Sequence, residues 1–320
     1  MNLSAPEIRS RPASFIDPQA LMSIRNLELR ARVVVEGFWT GIHRSPYHGF
    51  SVEFSEYRQY TAGDDPRYLD WRVFARSDRY FIKRFEDETN LRCHLLLDSS
   101  RSMTYGSLGY TKTEYAVTLA ATLAQFLYLQ GDAVGLLRFD EGMREYLPAR
   151  HRTGHLRTLM VALEQPAGGK STDLSAPLKR VAEAVRKRGL VVLISDFLAP
   201  IENLEPHLLT LNACGHDVIL FQVLDPAEVT FNFRGASVFH DLESDRALFI
   251  DPAAARKEYL RKLEAHCANL RSVAQRLGFA YYRSVSDQPL ELALFDFLRA
   301  RMQLGRRVRR VHRCQIPSRP

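Results

Sequence analysis

From about residue 90 onward, short apolar runs alternate with longer stretches in which apolar residues recur every three to four positions. That alternation builds an α/β fold. The runs at 91–97, 133–139, 190–195 and 217–224 read as strands. The last two are nearly unbroken and suit strands buried on both faces of a sheet. Helical spacing predicts helices over 112–130, 155–164, 174–188 and 203–211, with 144–147 as a short edge strand. Thr111 and Glu114 have the spacing of a capping box and Gly131 ends the same helix. Further on, 237–242 and 247–250 suggest a hairpin, and Asp251-Pro252 opens a long helix that stops at Gly278. A strand over 279–285 and a helix over 290–304 complete the pattern.

The first ninety residues have a different texture. Residues 1–20 are proline-rich, 18–35 approximate helical spacing, and 37–90 break into short aromatic and charged pieces with turn residues. The expected organisation is an arm and helix over 1–36, a region of short strands over 37–90, an α/β domain over 91–298 and a basic tail over 299–320.

Composition narrows the functional classes. Pro6, Pro12, Asp17 and Pro18 interrupt the start, which does not read as a secretory signal. The most apolar stretch, 116–129, falls short of the ~20 residues that cross a bilayer, so no membrane span is expected. Cys93, Cys214, Cys267 and Cys314 lie far apart without zinc-site spacing, and read as reduced thiols. A cytoplasmic protein is the expectation. The net charge of +7 is local: residues 299–320 hold eight arginines and no acid, leaving 1–298 at −1. Such a tail could meet anionic lipid, nucleic acid or an acidic partner, and reads first as a solvated end. With no aromatic residues interleaved, nucleic-acid binding is not favoured.

The candidate chemistry lies at strand ends. Asp98, Ser100 and Ser102 form D-x-S-x-S directly after the first central strand, where open parallel sheets place ligands. An aspartate and two hydroxyls suit a hard divalent cation that keeps some of its waters. Alone, the motif is also an ordinary capping turn. Thr172 and Asp173 follow a glycine loop about 70 residues later, and Asp196 ends the 190–195 strand. Asp98 is expected at a solvent-facing strand end, its removal costing the fold little.

That order resembles the metal-ion-dependent adhesion site of von Willebrand factor A domains. The preceding block sharpens the resemblance: GIHRS at 41–45, EYRQY at 56–60, GDDPR at 63–67, DWR at 70–72, RFEDE at 84–88 and LLDSSRSM at 96–103. Together these look like the bacterial family known as DUF58, over about 37–225. The resemblance implies a von Willebrand A-like, Rossmann-like open sheet flanked by helices, preceded by an N-terminal helix and short-strand subdomain. It implies a metal site of Asp98, Ser100, Ser102, Thr172 and Asp196 that takes Mg²⁺ or Mn²⁺, with a vacant position for a carboxylate of a client protein. It also implies a MoxR-type AAA+ ATPase as partner. Many family members carry membrane spans ahead of this region, and membrane roles proposed for them do not transfer to this sequence.

Other signals are weaker. Gly169-Lys170-Ser171-Thr172 imitates the end of a phosphate-binding loop, but Glu164 stands where its first glycine belongs. Asp64, Asp65 and Asp70 read as turn and ion-pair residues, with Asp70 pairing one of several nearby arginines. Arg101, inside the metal loop, is expected to point outward toward an acidic ligand. No histidine flanks Asp98, Thr172 or Asp196 in the sequence, so the expectation is a non-enzymatic binding module, with a metal-dependent hydrolase as the rival.

Overall fold

The computed structural model describes residues 15–44, 57–59, 81–83, 91–166, 188–233, 235, 237–240 and 247–313. Thr172 and Asp173, the glycine loop before them, residues 174–187 of the helix expected over 174–188, the GDDPR segment, Asp70 and Cys314 lie outside the described residues.

The strands are β1 (Tyr57–Gln59), β2 (Phe81–Lys83), β3 (Arg92–Asp98), β4 (Ala133–Phe139), β5 (Met143–Arg150), β6 (Leu190–Ser195), β7 (Asp217–Leu224), β8 (Ser237–His240), β9 (Ala247–Ile250) and β10 (Ala280–Val285). Six of them form one sheet in the order β10-β7-β6-β3-β4-β5, in which only the edge strand β5 is antiparallel. In chain order this is the doubly wound 3-2-1-4-5-6 arrangement, which reverses between β3 and β6. The fold is therefore the open α/β sheet expected of a von Willebrand A-like domain. β1–β2 and β8–β9 are separate antiparallel pairs.

Alternation along the central strands divides the core in two. Cys93, Leu95, Leu97, Val192, Ile194, Ile219 and Phe221 face one layer, whereas Leu96, Val191, Leu193, Val218 and Leu220 face the other. The first layer is covered by α2 (Leu27–Arg44), α3 (Lys112–Leu129), α4 (His155–Leu163) and α8 (Leu290–Arg313). The second is covered by α5 (Ile201–Ala213) and α7 (Pro252–Arg276). Two short helices, α1 (Pro18–Met22) and α6 (Pro226–Thr230), complete the set described.

The departures from the expected pattern have local causes. The single helix read over 18–35 is two, because Ser23 caps α1 and the Asn26 side chain accepts the Leu29 N–H at 2.8 Å to start a new one. β5 is longer than expected and meets β4 across a bulge, where Gly135 leaves room for the Leu147 carbonyl and Ala149 amide. α8 runs nine residues beyond the expected end at 304. Arginine is a good helix former, and the next proline after Pro289 is Pro317. Ala300 is buried and Arg301 pairs with Asp132 at 2.9 Å, so the first part of the basic stretch packs on the body.

Candidate functional site

β3 and β6 are adjacent and parallel, with Leu97 opposite Ile194. The chain leaves β3 toward α3 on one face and leaves β6 toward α5 on the other. The resulting crevice at the carboxyl ends is the switch point where open α/β sheets bind ligands.

Asp98 closes β3 and is fully buried, contrary to the solvent-facing position expected of it. One carboxylate oxygen accepts the Ser100 N–H at 2.9 Å, and the other accepts the Ser195 hydroxyl at 2.6 Å. The physical reason is register: β6 ends beside β3, so its terminal serine reaches across. The Ser100 and Ser102 hydroxyls stand 3.1 Å apart, on the turn that runs into the 3₁₀ segment Arg101–Thr104. Arg101 is exposed, as expected. A Cβ at Gly106 would collide with the Tyr110 carbonyl, so the loop from the motif to α3 depends on that glycine.

Asp196 is also buried. Its Oδ1 accepts the Leu198 N–H at 3.3 Å and its Oδ2 accepts the Lys112 ammonium at 2.9 Å. Lys112 is fully buried and reaches the Glu228 carboxylate at 2.7 Å. Glu228 belongs to the capping box of α6 and accepts the Asp225 N–H at 2.8 Å. Asp225 accepts both the N–H and the hydroxyl of Ser107, fastening the loop after the motif to the end of β7.

The turn after Asp196 is held from three sides. Gln222 donates to the Asp196 carbonyl at 2.9 Å, the Phe197 N–H donates to Ser195 Oγ at 3.1 Å, and His266 Nε2 lies 2.6 Å from the Phe197 carbonyl. Phe197 is in the left-handed region with φ 51°, a conformation that costs a non-glycine residue ~1–3 kcal/mol and persists only where surroundings impose it. On the opposite flank, the buried Arg138 donates from Nε to Ser99 Oγ at 3.3 Å and from Nη1 to the Ala162 carbonyl at 2.9 Å.

Electrostatically the crevice is short of positive charge. Asp196 and Glu228 share one ammonium, and the buried Asp98 and Asp225 add carboxylates with only hydroxyl and amide partners among the described residues. Burial, and then the charge of Asp196, push the Asp98 carboxyl above its ordinary range, against the hydrogen bonds from Ser195 and Ser100. Burial favours the neutral form of Lys112, but the Asp196 and Glu228 carboxylates outweigh it and hold the ammonium charged. Among the described residues no cluster of three His, Cys, Asp or Glu could hold a metal. A cation here would rest on mixed hydroxyl and carboxylate oxygens, a donor set that fits a hard divalent ion.

Of the five site residues expected from sequence, the structure brings Asp98, Ser100, Ser102 and Asp196 to one sheet end, and Thr172 is outside the described residues. Sequence reasoning missed Ser195, Lys112, Glu228, Gln222 and His266. Lys112 had a signal: a cation in the first turn of a helix opposes the dipole there, so it needs a carboxylate partner.

The sequence profile described as "Protein of unknown function DUF58" matches residues 56–269. An uncharacterized protein of Mycobacterium tuberculosis, Rv1480, is 32% identical over 268 residues, covering 82% of this chain and 83% of the relative. An uncharacterized protein of Mycobacterium avium is 30% identical over 148 residues, covering 46% of this chain and 85% of that protein. Among solved structures, BatB of Bacteroides thetaiotaomicron matches with TM-score 0.46 and 14% identity, over 66% of this chain and 99% of that one. The von Willebrand A domain of SpRpn10 matches with TM-score 0.39 and 11% identity, over 63% and 92%.

Proposed function

The chain belongs to the DUF58 family, and on that footing we propose that it is a metal-dependent, non-enzymatic protein-binding module working in the cytoplasm. The observation that carries this reading is the burial of Asp98 and Asp196 side by side at the switch point, next to two serine hydroxyls and with too little positive charge. Buried carboxylates without full compensation are costly, and a bound cation removes that cost.

Asp98, Ser100, Ser102 and Asp196 would hold Mg²⁺ or Mn²⁺, with Thr172 as the fifth member. When bound, the ion supplies a positively charged centre attractive to a carboxylate of a partner. The chain's own residues do the rest. Ser195 and the Ser100 amide fix both oxygens of Asp98, Lys112 and the Leu198 amide fix those of Asp196, and both carboxylates therefore act chiefly through charge. His266 is engaged with the Phe197 carbonyl rather than turned to the hydroxyls, which supports binding over a general-base role. Among the described residues no helix is long and apolar enough to cross a membrane.

The partner we propose is a MoxR-type AAA+ ATPase, with this chain as its adaptor or co-chaperone in maturing or remodelling client proteins. The test is binding of the purified ATPase to the full chain by calorimetry in Mg²⁺, in chelator, and in chelator followed by Mn²⁺. Affinity should fall at least tenfold in chelator, return with Mn²⁺, and stay low in Ser100→Ala/Ser102→Ala. Undiminished affinity in chelator overturns the metal-bridged reading.

A further inference from the structure

Lys112 is the first residue of α3, behind the cap Thr111, and its fully buried ammonium bridges two carboxylates from different parts of the chain. Asp196 follows β6, whereas Glu228 sits in α6 beyond β7. The arrangement is built. Glu228 is anchored through its second oxygen by the Asp225 amide, and Asp225 in turn is anchored by Ser107 of the same loop that leads into Lys112. Neither partner is a flexible surface group, since their side chains are 3% and 15% exposed.

This bridge does two things to the proposed site. It occupies Oδ2 of Asp196 on the side away from the Leu198 amide, so the carboxylate cannot swing freely toward a cation. It also sets the charge. Lys112 offsets one of the two charges of Asp196 and Glu228, while the buried Asp98 and Asp225 add two further carboxylates nearby, so the crevice keeps an excess of negative charge. Without the lysine the same crevice would be one unit more negative, and with a neutral residue at 228 one unit less negative.

Resting on the reading of Asp98, Ser100, Ser102 and Asp196 as a cation site, we propose that the Lys112–Glu228 pair is its charge-setting element and tunes how strongly the crevice attracts a divalent ion. The pair is a positioning and specificity device, not a ligand. It makes a prediction with an unusual sign. Because Lys112 repels the incoming ion, removing its charge should tighten cation binding even though it weakens the apo fold. A lysine that merely supports the structure would, when removed, weaken both.

The experiment is Mn²⁺ titration of the full chain by calorimetry, with the Mn²⁺-induced rise in melting temperature as a second readout. Wild type, Lys112→Met, Glu228→Gln and Ser100→Ala/Ser102→Ala are compared. A unit change of charge a few ångströms from a divalent ion at a screened site is expected to move affinity about tenfold. Affinity should thus run Lys112→Met above wild type above Glu228→Gln, with the largest melting-temperature rise in Lys112→Met. If Lys112→Met does not fold, the Glu228→Gln arm decides alone: weakening by about tenfold supports the proposal, and unchanged or tighter binding overturns it. Weaker or equal binding by a folded Lys112→Met also overturns it. In either of those cases, wild-type binding that is lost in Ser100→Ala/Ser102→Ala leaves the cation site standing. Absence of Mn²⁺ uptake by wild type removes site and charge-setting role together.

Discussion

At the amino-terminal edge of the central sheet, His94 and His216 are buried close to one another, and Asp132 is buried beneath the start of β4. Burial, with the charges of His216 and Arg92 adding, lowers His94 to about 4, so it is neutral at ordinary pH. Asp132 accepts the Leu91 N–H at 3.1 Å and pairs with Arg301. At the opposite edge of the same strands, Asp196 and Glu228 share one lysine, and the buried Asp98 has only serine hydroxyl and amide partners among the described residues. The two edges bury polar groups equally well but balance them differently. At one edge His94 is neutral and Asp132 is paired with a guanidinium, as a structural role requires. At the other, carboxylates outnumber cations, and that residue of charge is what marks a site for a ligand.

The largest test of this contrast removes the internal cation. Lys112→Met leaves the buried Asp196 and the largely enclosed Glu228 facing each other without a cation and should cost about 3 kcal/mol of stability in chelator, measured by urea unfolding. A loss under about 1 kcal/mol would mean that the ammonium is not what holds this edge together.

The amino-terminal edge should reveal itself through pH. In the folded chain His94 titrates near 4, below the ordinary 6.5. Between those values the unfolded state binds more protons than the folded one. His94 therefore costs no stability above about pH 6.5, and stability falls as pH drops from there toward 4, by about 3 kcal/mol. Unfolding midpoints across pH 7 to 4 should show this arm in wild type and a shallower one in His94→Leu. An identical arm in both would assign it to other groups.

A smaller effect is expected at the singly paired carboxylate. Arg301 is one-third exposed, so Arg301→Gln should cost only about 1 kcal/mol by urea unfolding. Smallest of all, ending the chain after Leu304 keeps Phe297, Ala300 and Arg301 and should change stability by less than about 0.5 kcal/mol. A larger loss would show that residues beyond 304 stabilise the body.

The four inner strands were legible because a strand buried on both faces leaves a nearly unbroken apolar run, and β4, β6 and β7 fall on their expected bounds. The capping box at Thr111 and the Asp251-Pro252 start of α7 were equally legible, since caps are written in neighbouring residues. Asp98, Ser100, Ser102 and Asp196 could be placed at one sheet end from motif and strand order alone. What the sequence withheld are the long-range contacts. Ser195 looked like the end of an apolar run and Lys112 like a helix start, yet they meet Asp98 and Asp196 across separations of 97 and 84 residues. Neither pairing follows from periodicity, because it depends on which strands become neighbours. The burial of Asp98 was hidden for the same reason.

The claim at the centre is that Asp98, Ser100, Ser102 and Asp196 take up a divalent cation. It is tested most directly by counting Mn²⁺ bound to metal-free protein, by calorimetry or by the loss of the free-ion paramagnetic signal. One ion per chain in wild type and none in Ser100→Ala/Ser102→Ala, with urea midpoints in chelator differing little, is the expected result. Equal uptake by both proteins, or uptake by neither, contradicts it.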